Sequence, residues 1–145
     1  MPYFYDTRTM RKRPAGKKYS PALGTWVEGK KIIFGRITIP AGTRSEPHSH
    51  PNEQFVFVVQ GRIRNTIGGK THVSGPGTIV HIPANTIHHA SVVGKEDYVF
   101  ITAKDTSWGI QGIPAGEAKP RAARRAPARP KAKAARKKAP ARARR

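Results

Sequence analysis

Short runs of β-branched and aromatic residues, cut by glycine or proline about every eight to twelve positions, leave this chain few folds to choose from. Ile32 to Ile39 (IIFGRITI) alternates cleanly: Ile33, Ile37 and Ile39 mark one face, and Ile32, Phe34, Arg36 and Thr38 the other. Pro40-Ala41-Gly42 ends that run. Arg62 to Ile67 and Lys70 to Val73 read as a hairpin joined through Gly68-Gly69, a dipeptide that readily takes the positive φ of a tight turn. Thr78 to Ile82, the turn Pro83-Ala84-Asn85, His88 to Val93 and Tyr98 to Ala103 continue the series, and no sustained helical period occurs before Lys119. The pattern predicts an all-β sandwich or barrel over residues 26–118, opening on a short strand at Trp26-Val27-Glu28. An irregular basic lead-in, residues 1–25, is expected to lie over the barrel or to pair with a partner subunit. Trp108, Ile110 and Ile113 are placed to cover an open end of the barrel.

Charge separates the rest of the chain from this domain. Of 28 Lys and Arg, 13 lie between Lys119 and Arg145, where no acidic residue occurs. Residues 119–145 offer only alanine for burial, and Pro120, Pro127, Pro130 and Pro140 interrupt every helical stretch, so a disordered tail is expected. Its composition resembles the basic tails of linker-histone-type proteins. Such a tail can neutralise phosphates and bind nucleic acid without sequence preference, with affinity falling steeply as salt rises; a solubilising extension is the plainer alternative. With no cysteine, disulfides and thiolate ligands are excluded, and any metal must use imidazole, amide or carboxylate donors. No apolar run is long enough to span a bilayer, and the polar first residues lack the apolar segment of a secretion signal. A cytoplasmic protein that does not enter membranes is the resulting expectation.

The chemistry is concentrated between Gly42 and Gly61 (GTRSEPHSHPNEQFVFVVQG). Residues two apart on a strand share a face, so His48, His50 and Gln54 are expected to project together, followed by the apolar Val56 and Val58. His88 is the matching third imidazole. Three imidazoles with an oxygen donor suit divalent iron, manganese, nickel, zinc or copper.

Taken with its spacing, the segment from about Ile32 to Ala103 resembles the cupin family, a double-stranded β-helix or jelly-roll barrel. The family's first motif runs Gly, five residues, His, one residue, His, three or four residues, Glu, six residues, Gly. Gly42, His48, His50 and Gly61 fall on those places, and Gln54 stands where the glutamate would be. The second motif is matched by Gly77, Pro83 and His88; Asn85 replaces a glycine, which suits a left-handed turn position, and Val92 replaces an asparagine. Glu53 is the alternative to Gln54, but its strand parity points it away from His48 and His50 unless a bulge intervenes. The resemblance implies a metal set of His48, His50, Gln54 and His88. Four neutral ligands would leave the ion's double charge uncancelled and favour an anionic or chelating ligand. Polar residues of a metal-free barrel are the plainer reading.

The other histidines are read separately. His89 should face away from His88, and His72 lies at the surface. His81 is read as a satisfied barrel histidine or, if it lines the pocket, as the catalytic acid or base. Arg36, Arg64, Tyr98 and Phe100 are further candidates for the lining. The family likeness implies a homodimer and a metal-dependent enzyme, a dioxygenase, isomerase or lyase acting on a small oxygenated molecule. The HSHPNEQ run is similar to that of small cupins that linearise unsaturated uronate sugars. The alternative is a non-catalytic barrel that binds a small ligand and is tethered to nucleic acid by residues 119–145.

Overall fold

The computed structural model describes residues 3–117. The basic tail, read as disordered, lies outside the described residues. Among the described residues, eleven strands form two antiparallel sheets. The strands are β1 (Arg13–Pro14), β2 (Leu23–Glu28), β3 (Ile32–Ile39), β4 (His48–Ser49), β5 (Gln54–Gln60), β6 (Arg62–Ile67), β7 (Lys70–Ser74), β8 (Ile79–Ile82), β9 (His88–Val93), β10 (Tyr98–Asp105) and β11 (Ile113–Pro114). One sheet has the order β1-β2-β3-β10-β5-β8 and the other β11-β4-β9-β6-β7. No helix among the described residues is long and apolar enough to cross a membrane.

Alternation in the strands sets the core. Ile33, Ile37 and Ile39 of β3 and Val56 and Val58 of β5 point inward and are buried with Ile63 of β6, while Ile32, Phe34, Phe55 and Phe57 point outward. Ile33, Val58 and Ile63 are at most 1% exposed, and each side chain contributes roughly 1.5–3 kcal/mol by leaving water. Gly68 (φ 53°) and Gly69 (φ 80°) turn the β6–β7 hairpin, and Asn85 takes the left-handed conformation at φ 60°. Gly61 (φ 75°) joins β5 to β6 so closely against β10 that a Cβ there would lie 2.5 Å from the Asp97 carbonyl oxygen. A side chain at this position requires the Asp97–Tyr98 backbone to shift.

Three local expectations change. Strand β2 begins at Leu23 rather than Trp26, and the lead-in is tied into the fold: β1 pairs with β2, and Ala15, Tyr19 and Ala22 are buried. The last long strand continues through Lys104 to Asp105, because β3 and β5 offer backbone partners on both sides. The stretch from His48 to Gln54 is not one strand. After His48–Ser49 the chain leaves the five-stranded sheet, turns through residues 50–53 and enters the six-stranded sheet at Gln54.

Candidate functional site

That crossing places polar side chains from both sheets around one cavity of about 100 Å³ at the end of the apolar core. His48 and His88 face each other across the β4–β9 pair, with ring centroids 4.2 Å apart. His50, in the crossing turn, meets His88 edge-on at 4.9 Å. Gln54 opens β5 on the opposite sheet, directly paired with Lys104 of β10. All five line the cavity, together with Tyr19, Tyr98, Phe100 and Thr102.

Each imidazole is oriented by the same device. Nδ1 of His48 lies 2.7 Å from the Glu46 carbonyl, that of His50 2.6 Å from the Asn52 carbonyl, and that of His88 2.9 Å from the Thr86 carbonyl. A carbonyl can only accept, so Nδ1 carries the proton in all three neutral rings and Nε2 keeps its lone pair. Burial, the largest effect, pushes the basicity of all three down, His50 to about 4 and His88 to about 3, so the rings are neutral near pH 7. Nε2 of His50 is buried with no hydrogen-bond partner.

The crossing turn is held on two sides. The Asn85 amide donates to the His50 carbonyl at 2.8 Å, and the buried Asn52 amide group donates to the carbonyls of Asp105, Trp108 and Gly109. Gln54 is oriented from its own sheet. Its Nε2 donates to Thr102 Oγ1 at 2.9 Å, and the Thr102 hydroxyl donates to the Phe55 carbonyl, which leaves the Gln54 carbonyl oxygen as the free end of the amide.

These features fit a cation: three imidazole lone pairs, one amide oxygen, and an orphaned buried acceptor that would otherwise cost about 1–3 kcal/mol. Among the described residues, no three His, Cys, Asp or Glu side chains stand as a finished metal cage. The rings pack against one another at interplanar angles of 57° and 72°.

His81, read as the catalytic acid or base if it lines the pocket, lies outside this cavity. Residues 80 and 82 of β8 turn inward, so His81 turns outward; it stacks on Phe55 and its Nε2 lies 2.7 Å from Glu53 Oε1 on the exposed face. Glu53, the alternative oxygen donor, is thereby engaged outside the barrel. Arg36, Arg64 and His72 are exposed and do not line the cavity, while Tyr98 and Phe100 do.

Tyr19 and Lys104 are cavity residues that escaped the sequence reading. Tyr19 comes from the supposed lead-in; its ring stacks on His48 at 4.2 Å, and its hydroxyl accepts a hydrogen bond from the Gly112 amide. Burial raises its pKa, so the phenol keeps its proton. Lys104 is 4% exposed, and its Nζ donates to the Ile110 carbonyl at 2.9 Å. Burial lowers its pKa to about 7. The parity of Phe100, Thr102 and Lys104 was the available signal.

Residues 35–104 match the family model described as a cupin domain. An uncharacterised protein of Streptomyces coelicolor is 26% identical over 72 residues, covering 50% of this chain and 69% of that protein. Among solved structures, KdgF from Halomonas sp. superposes with a TM-score of 0.61 at 20% identity, over 72% of this chain and 94% of that one. The polyketide cyclase RemF from Streptomyces resistomycificus gives 0.64 at 14% identity, over 72% of this chain and 80% of that one. At these identities the structural likenesses establish a shared fold.

Proposed function

We propose that this chain, built around a cupin domain, is a metal-dependent enzyme acting on a small oxygenated substrate that is anionic or chelating, by dioxygenase or isomerase/lyase chemistry. The observation that carries the reading is the orphaned Nε2 of His50 within a cluster of three imidazoles whose Nδ1 atoms are all turned to backbone carbonyls. His48, His50, His88 and Gln54 would hold a divalent iron, manganese, nickel or zinc ion. Such an ion supplies Lewis-acid polarisation of a substrate oxygen or, with iron, oxygen chemistry.

The chain's own residues account for the rest. Val56, Val80, Ile82 and Phe100 give the cavity dry walls, which strengthen every electrostatic interaction inside it. Tyr19, beside His48 and protonated across the neutral range, takes the proton-donor role considered for His81. The test is turnover of a panel of catechols, diketones and unsaturated uronates after loading with iron or manganese. Activity on one member, lost in His88→Ala, supports the reading, and an inert protein with full metal occupancy contradicts the enzymatic part.

The runner-up is a ligand-binding barrel tethered to nucleic acid, motivated by the 13 cationic groups between Lys119 and Arg145. Electrophoretic mobility shift at several salt concentrations, with and without residues 119–145, tests the tether. Equal weak retention of both forms would remove it.

A homodimer is also proposed, through the outer face of the six-stranded sheet. The register sets Phe34, Ala103 and Phe55 in one row and Ile101, Phe57 and Ile79 in the next. Phe34, Phe55, Phe57 and Ile79 are 45–68% exposed, a contiguous apolar surface of the kind that marks an interaction site.

A further inference from the structure

Lys104 is a buried amine that forms no ion pair with a carboxylate among the described residues. No Asp or Glu is among the described residues lining the cavity. Its sequence neighbour Asp105 projects to the opposite face, where its carboxylate accepts hydrogen bonds from the backbone amides of Glu53 and Ser107. The bond to the Ile110 carbonyl uses one of three N–H donors, and the hydrogen bonds among the described residues give the other two no acceptor.

A buried lysine is normally paired, because an uncompensated charge away from water is costly. Packing does not account for it: the neighbouring inward positions on β10 hold Phe100 and Thr102, and a methionine or leucine would fill the same depth with no polar atom. The missing partner is therefore sought in what enters the cavity. His48, His50, His88 and the Gln54 carbonyl oxygen offer electron pairs to a cation, while Lys104, the cross-strand neighbour of Gln54 on β10, offers N–H donors beside them. These neighbouring groups thus call for different parts of one ligand.

Resting on the reading of this cavity as the substrate site, we propose that Lys104 is a specificity-determining residue that anchors the carboxylate of a small hydroxy or keto acid. The acid's hydroxyl or carbonyl oxygen then lies toward His48, His50, His88 and Gln54. A volume of about 100 Å³ is smaller than a cavity that holds benzene, which suits an acid of few carbons or the acidic end of a longer one protruding through the mouth. The proposal narrows the substrate class from any chelating molecule to carboxylic acids, and it assigns the discrimination to the six-stranded sheet rather than to the histidines.

The probe is lactate against its neutral analogue lactamide, titrated calorimetrically into full-length protein freed of metal with a chelator, at physiological ionic strength. Lactate should bind the wild type at least tenfold more tightly than lactamide, and Lys104→Met should abolish that preference without weakening lactamide. Equal affinity of the wild type for the two probes overturns the proposal with no variant needed. Preference for lactate surviving in cooperatively folded Lys104→Met or Lys104→Gln overturns it as well. Manganese occupancy of the wild type, measured separately, bears on the histidine ligand set alone, so failure of the metal reading and failure of this one are distinguishable.

Discussion

Replacing Lys104 by methionine should stabilise the metal-free protein, and by an amount that depends on pH. In the folded chain burial drives the amine from 10.5 down to about 7, against a smaller opposing pull from Asp105; the neighbouring His48, His50 and His88 are uncharged in this window. Between about pH 7 and 10.5 the unfolded chain holds this proton and the folded chain does not. Stability therefore rises with pH across that window, by about 1.4 kcal/mol per unit. Integrated over the window, the burial costs on the order of 5 kcal/mol at pH 6, and it vanishes above pH 10.5. Methionine occupies the same depth without charge, so Lys104→Met should be the more stable protein at pH 6 and should lose this component of the pH dependence. Denaturant unfolding of both proteins with chelator at each pH unit from 6 to 10 measures it, the difference between the two curves cancelling the other lysines. Parallel curves, or a Met variant less stable at pH 6, would show that the amine is not penalised by burial.

Three further outcomes follow from the same geometry. His81→Ala should leave metal content and ligand binding unchanged and cost at most about 1 kcal/mol in chemical denaturation, because the pair with Glu53 is half-exposed on the outer face. Metal-free protein should lose stability as pH falls below about 6.5, since the unfolded imidazoles take up protons that buried His50 and His88 refuse until about 4 and about 3. The melting temperature should be lower at pH 5 than at pH 7, and His88→Gln should reduce the difference. Phe57→Asp, on the outer sheet face, should convert a dimer to a monomer by light scattering without lowering metal content, and a wild type already monomeric at high concentration would remove the dimer proposal.

Much of this architecture is written locally. Alternation in Ile32 to Ile39 and in Val56 and Val58 assigns inside and outside correctly because parity on a strand is a property of adjacent residues. Gly68-Gly69 and Asn85 announce their turns through the conformations they alone tolerate cheaply. Gathering of His48, His50, Gln54 and His88 around one cavity was visible in spacing, but the route was not. The chain changes sheets between His50 and Gln54, a choice made by the partners β9 and β10, which lie far away in sequence. Tyr19 was hidden because a basic, proline-containing segment gives no periodic signal, although its ring forms part of the site. Lys104 was hidden because a charged residue after an apolar run reads as the strand's end. His81 shows the converse: a histidine in a barrel strand invites a catalytic role until its parity puts it against Glu53 on the outside.

Whether four neutral donors close on a single cation is read by elemental analysis of the purified full-length chain, after equilibration with iron or manganese and removal of excess. About one divalent ion per chain is expected in the wild type, with occupancy falling at least tenfold in His50→Ala and His88→Ala and partially in Gln54→Ala. Substoichiometric metal in the wild type, or equal occupancy in all four proteins, would contradict it.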